Sequence, residues 1–463
     1  MRGASDLTFS VGIGLAVFLT LAGCGPGSSG SDEQRAPNVI LVTVDTLRAD
    51  HLGCYGYDRP TSPQIDRLAQ HSTRYRRALA SSPWTVPSHA SLLTGKLPFE
   101  HGAHTVNRRG PGPNARPLAL EHLTLAEALS AEGWTTAAFV ANAACLSRRW
   151  QLDQGFATYH VEKAYADVLN SRVLAWLGMG PDQPFLLFVN YIDAHHPFNT
   201  APRPGLLDRP VLEDHGALFR SLYDEILPAE GALPAGHIEA VIDQYDTAVA
   251  NVDEELGRLF DRLRQLGLYD SSLVVVTSDH GEYFGEHWLI EHSKDVYQEA
   301  LWVPLLVKAP GQAQGRVEEA LVLSSDIPGL ILDHCPQELA ARHRQAFPQR
   351  PGRHPVISEN YYTRSKDLFH PRWGHRFERV RTAVYDWPYK YIHSSDGAHE
   401  LYDLEADPSE SVNLVEQRPE LAARLRQELE ALQRNRPTPV EEGTPAPLTD
   451  EELDNLRSLG YVD

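Results

Sequence analysis

Basic charge, cysteine and long apolar runs are all scarce in this chain of 463 residues. Lysine and arginine number 42 against 62 aspartates and glutamates, a formal net charge of −20. A general nucleic-acid binder needs a basic footprint that releases counterions, so this balance argues against one. It leaves an anionic small substrate open, because a bound metal ion can dominate the field inside a single pocket. The four cysteines are Cys24, Cys54, Cys145 and Cys335. The last three are too few and too scattered for a disulfide framework or a thiolate zinc site. The apolar run from Phe9 to Leu21 falls short of the about 20 residues that span a bilayer, and nothing longer follows. No segment repeats. With 42% hydrophobic residues the chain can bury one large core and a smaller one.

What the beginning does hold is Arg2, the apolar run, then Leu21-Ala22-Gly23-Cys24. Residues 1–23 read as a cleaved export signal. Leu-Ala-Gly-Cys resembles a bacterial lipobox, which implies lipidation of Cys24 and a membrane-anchored lipoprotein facing the periplasm or the cell surface. Residues 24–36, rich in Gly and Ser, suit a flexible tether. Loss of Arg2 and Asp6 with the signal leaves the charge at −20.

Beyond the tether, short β-branched runs alternate with amphipathic stretches. The runs are 38–44, 135–140, 185–190, 273–277 and 303–307, and the helical stretches include 123–132 and 242–266. This order predicts an α/β fold with a large, mostly parallel sheet sandwiched by helices over 37–340. Val249, Val252, Leu256, Leu259, Phe260 and Leu263 form a core-facing stripe on the longer helix. Residues 341–463 read as a smaller α+β subdomain, with an antiparallel sheet within about 345–393 and a terminal helix over 419–434. Residues 201–236, rich in Pro and Gly, form an excursion that covers or shapes the site. Three strands end just before Asp45, Asp193 and Asp279. In open α/β sheets ligands sit beyond the carboxyl ends of strands, so these three carboxylates are placed to meet.

The segment Pro83-Trp84-Thr85-Val86-Pro87-Ser88-His89-Ala90-Ser91-Leu92-Leu93-Thr94-Gly95 puts a hydroxyl at a helix start. Pro87 suits the first helical turn, and the peptide dipoles there favour an anion. The segment resembles the signature of the sulfatase family, Cys-x-Pro-x-Arg followed by a small-residue helix and Leu-Leu-Thr-Gly. Thr85 falls on the family's modified cysteine and His89 on its arginine. Oxidation of threonine yields only a ketone, so no formylglycine is expected. The comparison shifts to members of the wider alkaline-phosphatase superfamily that use an unmodified, metal-ligated threonine.

The resemblance runs on through Pro37 to Leu432. The strand before Asp45-Thr46, with Gly53-Cys54-Tyr55-Gly56 after it, is similar to the family's first strand, where two metal-binding aspartates are usual and only Asp45 is kept. Thr277-Ser278-Asp279-His280-Gly281-Glu282 is similar to its second metal motif. The resemblance therefore implies a divalent ion held by Asp45, Thr85, Asp279 and His280. Imidazole in that set favours zinc or manganese, with calcium possible. Asp193-Ala194-His195-His196-Pro197 matches an Asp-x-His-x-Pro form and implies a second ion at Asp193, His195 and His292, with His196 competing with His195. For a leaving-group acid the resemblance offers His89, His101, His104 and Lys294. Glu400-Leu401-Tyr402-Asp403-Leu404 is similar to the family's closing segment.

A charged ester repels nucleophiles, so its cleavage needs neutralised oxygens and an attacker held in line. The resulting expectation is a lipid-anchored, metal-dependent hydrolase of sulfate or phosphate esters with Thr85 as nucleophile. Its substrate is an anionic ester on a glycan, lipid or small molecule. Two alternatives stand beside it. One is a phosphoryl-group transferase acting on envelope lipid or glycan, although such transferases usually carry several membrane helices. The other is a non-catalytic binding lipoprotein of the same fold, suggested by Thr46 and His89.

Overall fold

Strands 39–44, 185–191 and 273–277 are apolar at nearly every position, and in the computed structural model of the chain every one of their side chains is buried. Alternate side chains point to opposite faces of a sheet, so helices must cover both. The structure describes residues 36–105, 115–198, 206, 215–348, 355–361, 364–434 and 448–459. The signal, most of the tether and Cys24 lie outside them.

In chain order the strands of the first half are β1 (Val39–Val44), β2 (Thr73–Leu79), β3 (Thr135–Val140), β4 (Thr158–Val161), β5 (Phe185–Tyr191) and β6 (Leu273–Thr277). There follow a short hairpin, β7 (Tyr283–Phe284) with β8 (Ile290–Glu291), then β9 (Leu305–Lys308) and β10 (Arg316–Leu323). Eight of these make one sheet in the order β10-β2-β9-β6-β1-β5-β3-β4. Every pairing is parallel except those of β9 with β6 and β2. In-register pairing of β1 with both β5 and β6 brings the chain beyond Val44, Tyr191 and Thr277 to one edge. The long helix Ala235–Gln265 packs on helices Pro63–Ala69 and Ala166–Gly178, its Val249, Val252, Leu256 and Leu263 buried. No helix among the described residues is long and apolar enough to cross a membrane.

The expected α/β architecture is therefore present, with corrections in detail. The stretch expected over 303–307 is β9, at Leu305–Lys308, and it runs antiparallel. The strands β2, β4 and β10 were not foreseen.

A second sheet is an antiparallel meander of β11 (Val356–Asn360), β12 (Arg381–Asp386), β13 (Tyr389–Ser394) and β14 (Glu400–Asp403). Helix Pro419–Arg434 lies on it through Ala422, Leu425 and Leu429. Strand β11 is stitched to the segment before Thr85: Glu359 N donates to Ser81 O at 3.0 Å and Ser358 Oγ to Ala80 O at 2.6 Å. The segment after β8 is gripped by buried ion pairs. Asp295 Oδ2 lies 3.0 Å from both Arg379 Nη2 and Arg381 Nη1.

Removing one member of a buried ion pair strands its partner's charge. Asp295→Asn is expected to lower the unfolding free energy by about 3 kcal/mol in urea titration, whereas loss of the exposed Arg426–Glu430 pair through Arg426→Ala should leave the midpoint almost unchanged.

Candidate active site

Turns at the carboxyl ends of β1 and β6 bring two carboxylates together, each with one oxygen tied back. Asp45 Oδ2 accepts from Asn142 Nδ2 at 2.7 Å. Asp279 Oδ1 accepts from the amides of His280 at 3.0 Å and Thr46 at 3.3 Å. The remaining oxygens, Asp45 Oδ1 and Asp279 Oδ2, are buried and accept no hydrogen bond. Between them stands His280. Its Nδ1 lies 2.9 Å from Gly281 O, which assigns the proton to Nδ1 and leaves a lone pair on Nε2. That Nε2 is 3.4 Å from Asp279 Oδ2 and 3.8 Å from Asp45 Oδ1. Gly281 is required here, since a Cβ would sit 2.0 Å from Glu299 O.

Burial dominates the electrostatics. It raises the Asp45 pKa well above the carboxylate range, with Asp279 adding repulsion, and pushes Asp279 up to about 7. It lowers that of His280. Two enclosed carboxylates with unpartnered oxygens facing one imidazole lone pair form a donor set that a divalent cation fits. Ligand atoms of Asp45, Asp279 and His280 all lie within 4.8 Å of one another.

Thr85 is the first residue of helix Thr85–Thr94, after Trp84 in extended conformation, and every residue of that helix is buried. Its Oγ1 lies 3.3 Å from His280 Nε2. The helix is bolted to the same turn, because Ser88 Oγ donates to Asp279 O at 2.6 Å. One turn below Thr85, His89 Nδ1 meets Thr85 O at 3.0 Å and its Nε2 meets Thr43 Oγ1 at 3.2 Å. Burial holds the His89 pKa down at about 3, so the ring is neutral with both nitrogens engaged. His89 thus braces the Thr85 backbone rather than facing an incoming ester.

Beyond His280 two more imidazoles line up. The His292 ring is 4.6 Å from that of His280 and 4.9 Å from that of His195. Burial lowers both outer pKa values well below the usual histidine value. Glu282 Oε1 lies 3.1 Å from His292 Nδ1 and fixes the ring. Asp193 does not join them in one ligand set. Its Oδ2 accepts from Ala166 N at 2.9 Å, at the start of helix Ala166–Gly178, and it belongs to no described group of three ligand atoms within 4.8 Å. Between the two neighbouring histidines, His195 faces the row while His196 stacks on Phe219 at 4.0 Å.

Lys294 is buried two residues after His292, with Nζ 3.4 Å from Tyr223 OH, 3.5 Å from Glu291 and 3.6 Å from Asp367. Tyr223 lies on helix His215–Ile226, within the 201–236 excursion. His101 is elsewhere, tying Ser91 Oγ at 3.0 Å to the turn at Ala103, and His104 stacks on Tyr361 at 3.8 Å.

The structural roles of three positions escaped sequence reasoning. Asn142, just after β3, orients Asp45, and an Asn following a strand was the available signal. Thr46, with φ of 58°, donates through Oγ1 to Ala194 O at 2.6 Å and so ties the β1 and β5 turns. Tyr245 OH donates to Thr46 O at 2.9 Å from a helix that reads only as core.

Comparison with known proteins follows this geometry. A family model described as Sulfatase matches residues 37–336, and one described as N-sulphoglucosamine sulphohydrolase, C-terminal, matches 285–435. The chain is 26% identical over 437 residues to an ulvan-active sulfatase of Formosa agariphila, covering 83% of this chain and 78% of that protein. It is likewise 26% identical over 477 residues to a multifunctional alkaline phosphatase superfamily protein of Trinickia caryophylli, covering 82% and 91%. Among solved structures, the phosphonate monoester hydrolase of Agrobacterium radiobacter superposes with a TM-score of 0.65 at 20% identity, over 87% of this chain and 96% of that one.

Groups that orient a metal ligand tune its affinity. Asn142→Ala, which releases Asp45 Oδ2, is expected to weaken divalent-metal binding about 10- to 100-fold in calorimetric titration without unfolding the chain.

Proposed function

The chain belongs to the sulfatase family, and we propose that it is a metal-dependent hydrolase of sulfate or phosphate esters with unmodified Thr85 as its nucleophile. The observation that carries this reading is the meeting of Thr85 Oγ1 with His280 Nε2 at 3.3 Å, beside the paired carboxylates of Asp45 and Asp279. A divalent ion held by Asp45, Asp279 and His280 would supply charge neutralisation for the ester and acidify a neighbouring hydroxyl.

The chain's own residues do the rest. The start of helix Thr85–Thr94 holds Oγ1 in place, and the peptide dipoles there favour an anion. Asp279 and Ser88 lock that helix to the β6 turn, and His89 fixes the Thr85 carbonyl. Attack by Oγ1 on sulfur or phosphorus, with the hydroxyl proton passing to solvent, forms a threonine ester and breaks the bond to the leaving alcohol, which takes a proton from Lys294. Burial lowers the Lys294 pKa, which makes its ammonium a better acid. Water then cleaves the adduct. We read the enzyme as exported and held at a membrane through a lipid on Cys24. The relatives described as acting on ulvan and on phosphonate monoesters support an anionic ester as substrate.

Turnover of aryl sulfate, phosphate monoester and phosphodiester probes is expected to vanish with chelator and to return with zinc or manganese. Thr85→Ala should cost at least about 10³-fold in kcat; turnover retained in that variant removes the nucleophile. No bound metal and no turnover on any probe would point to the binding-protein reading. Lys294→Gln should slow alkyl esters far more than nitrophenyl esters, whose leaving groups need no proton, and equal slowing would exclude Lys294 as the acid.

A further inference from the structure

Outside the catalytic cluster, the described residues contain one other group of three side chains whose ligand atoms lie within 4.8 Å of one another: His287, Glu299 and Glu410. The group joins the chain just past β7 to the segment after β14. His287 Nε2 is 3.6 Å from Glu299 Oε2, and neither atom, both buried, makes a hydrogen bond. The Glu299 side chain is only 10% exposed. Glu410 Oε2 accepts from Gln298 N at 2.7 Å, while its Oε1 touches Lys390 Nζ at 2.7 Å out of line for a hydrogen bond.

Charge does not close here. Arg48 is shared by Asp50 and Glu286, each at 2.7 Å, and Lys390 serves Glu410. Among the described residues, Glu299 has no ion-pair partner but His287, although Glu286 and Glu410 lie near it. Burial, then Glu286 and Glu410, push the Glu299 pKa up to about 8. The backbone is bent to serve this spot. His287 and Trp288 take φ of 52° and 57°, the left-handed region that residues with side chains rarely adopt. The His287 ring is then held by stacking on Tyr297 at 3.7 Å.

We propose that His287 Nε2, Glu299 Oε2 and Glu410 Oε1 bind a second divalent ion, of the zinc class, which pins the segment bearing His292 and Lys294 to the antiparallel sheet. One imidazole and two carboxylates are zinc ligands, and a tetrahedral site with bonds of about 2.1 Å sets its ligands about 3.4 Å apart. The 3.6 Å His287–Glu299 separation already matches. Glu410 bridges the ion and the Lys390 ammonium, and the ion supplies the cation that Glu299 lacks. The site is structural and independent of whether any ester is cleaved.

The test uses the full chain with Asp45→Asn and Asp279→Asn, which disables the catalytic cluster, produced with added zinc, desalted and analysed by plasma mass spectrometry. One zinc per chain is expected, lost in His287→Ala and in the isosteric Glu299→Gln. The thermal midpoint should fall with chelator in the parent but not in those two. No zinc in the parent, or a zinc that persists in both variants, overturns the proposal. If the double substitution prevents folding, the same two changes in the wild-type chain should each lower the zinc count by one, and an unchanged count overturns it equally.

Discussion

Two carboxylates enclosed at the ends of neighbouring parallel strands set the terms for everything around them. An ionised carboxylate moved from water into a protein interior costs several kcal/mol unless something answers its charge. Asp45 and Asp279 each have one oxygen satisfied by the chain, through Asn142 in one case and the amides of Thr46 and His280 in the other, and one left facing His280. The satisfied oxygens fix direction; the open ones define where a cation belongs. Thr85 enters this arrangement from below, on a helix whose position depends on the same Asp279 turn.

Much of this was legible in the chain. The strands over 38–44, 135–140, 185–190 and 273–277 are continuous apolar runs because both of their faces are covered, and such runs stand out from polar surroundings. Strands β2, β4 and β10 did not stand out. Thr73–Leu79 alternates arginines with apolar residues, Thr158–Val161 is four residues long at a sheet edge, and Arg316–Leu323 begins exposed and charged. Partial exposure there permits a composition that resembles a loop.

The same distinction holds in the site. Asp45, Thr85, Asp279 and His280 sit in short segments with a family pattern, and the fold brings them together. Asp193 sits in a matching pattern as well, yet its carboxylate serves a helix start, a choice made by the path of the chain near Ala166. Tyr245 carries no pattern at all, and Asn142 only its place just after a strand. Their partners are about a hundred residues or more away in the chain, so only the folded backbone reveals them.

Helix Thr85–Thr94 has no residue open to solvent, being enclosed by the Asp279 turn on one side and by the segments around Phe99 and Ser324 on others. Any enzyme that altered a side chain on it would have to act on a nascent or unfolded polypeptide, before the sheet closes. On the proposed reading, in which Thr85 acts as the ribosome supplied it, this helix needs no such step before the sheet closes over it.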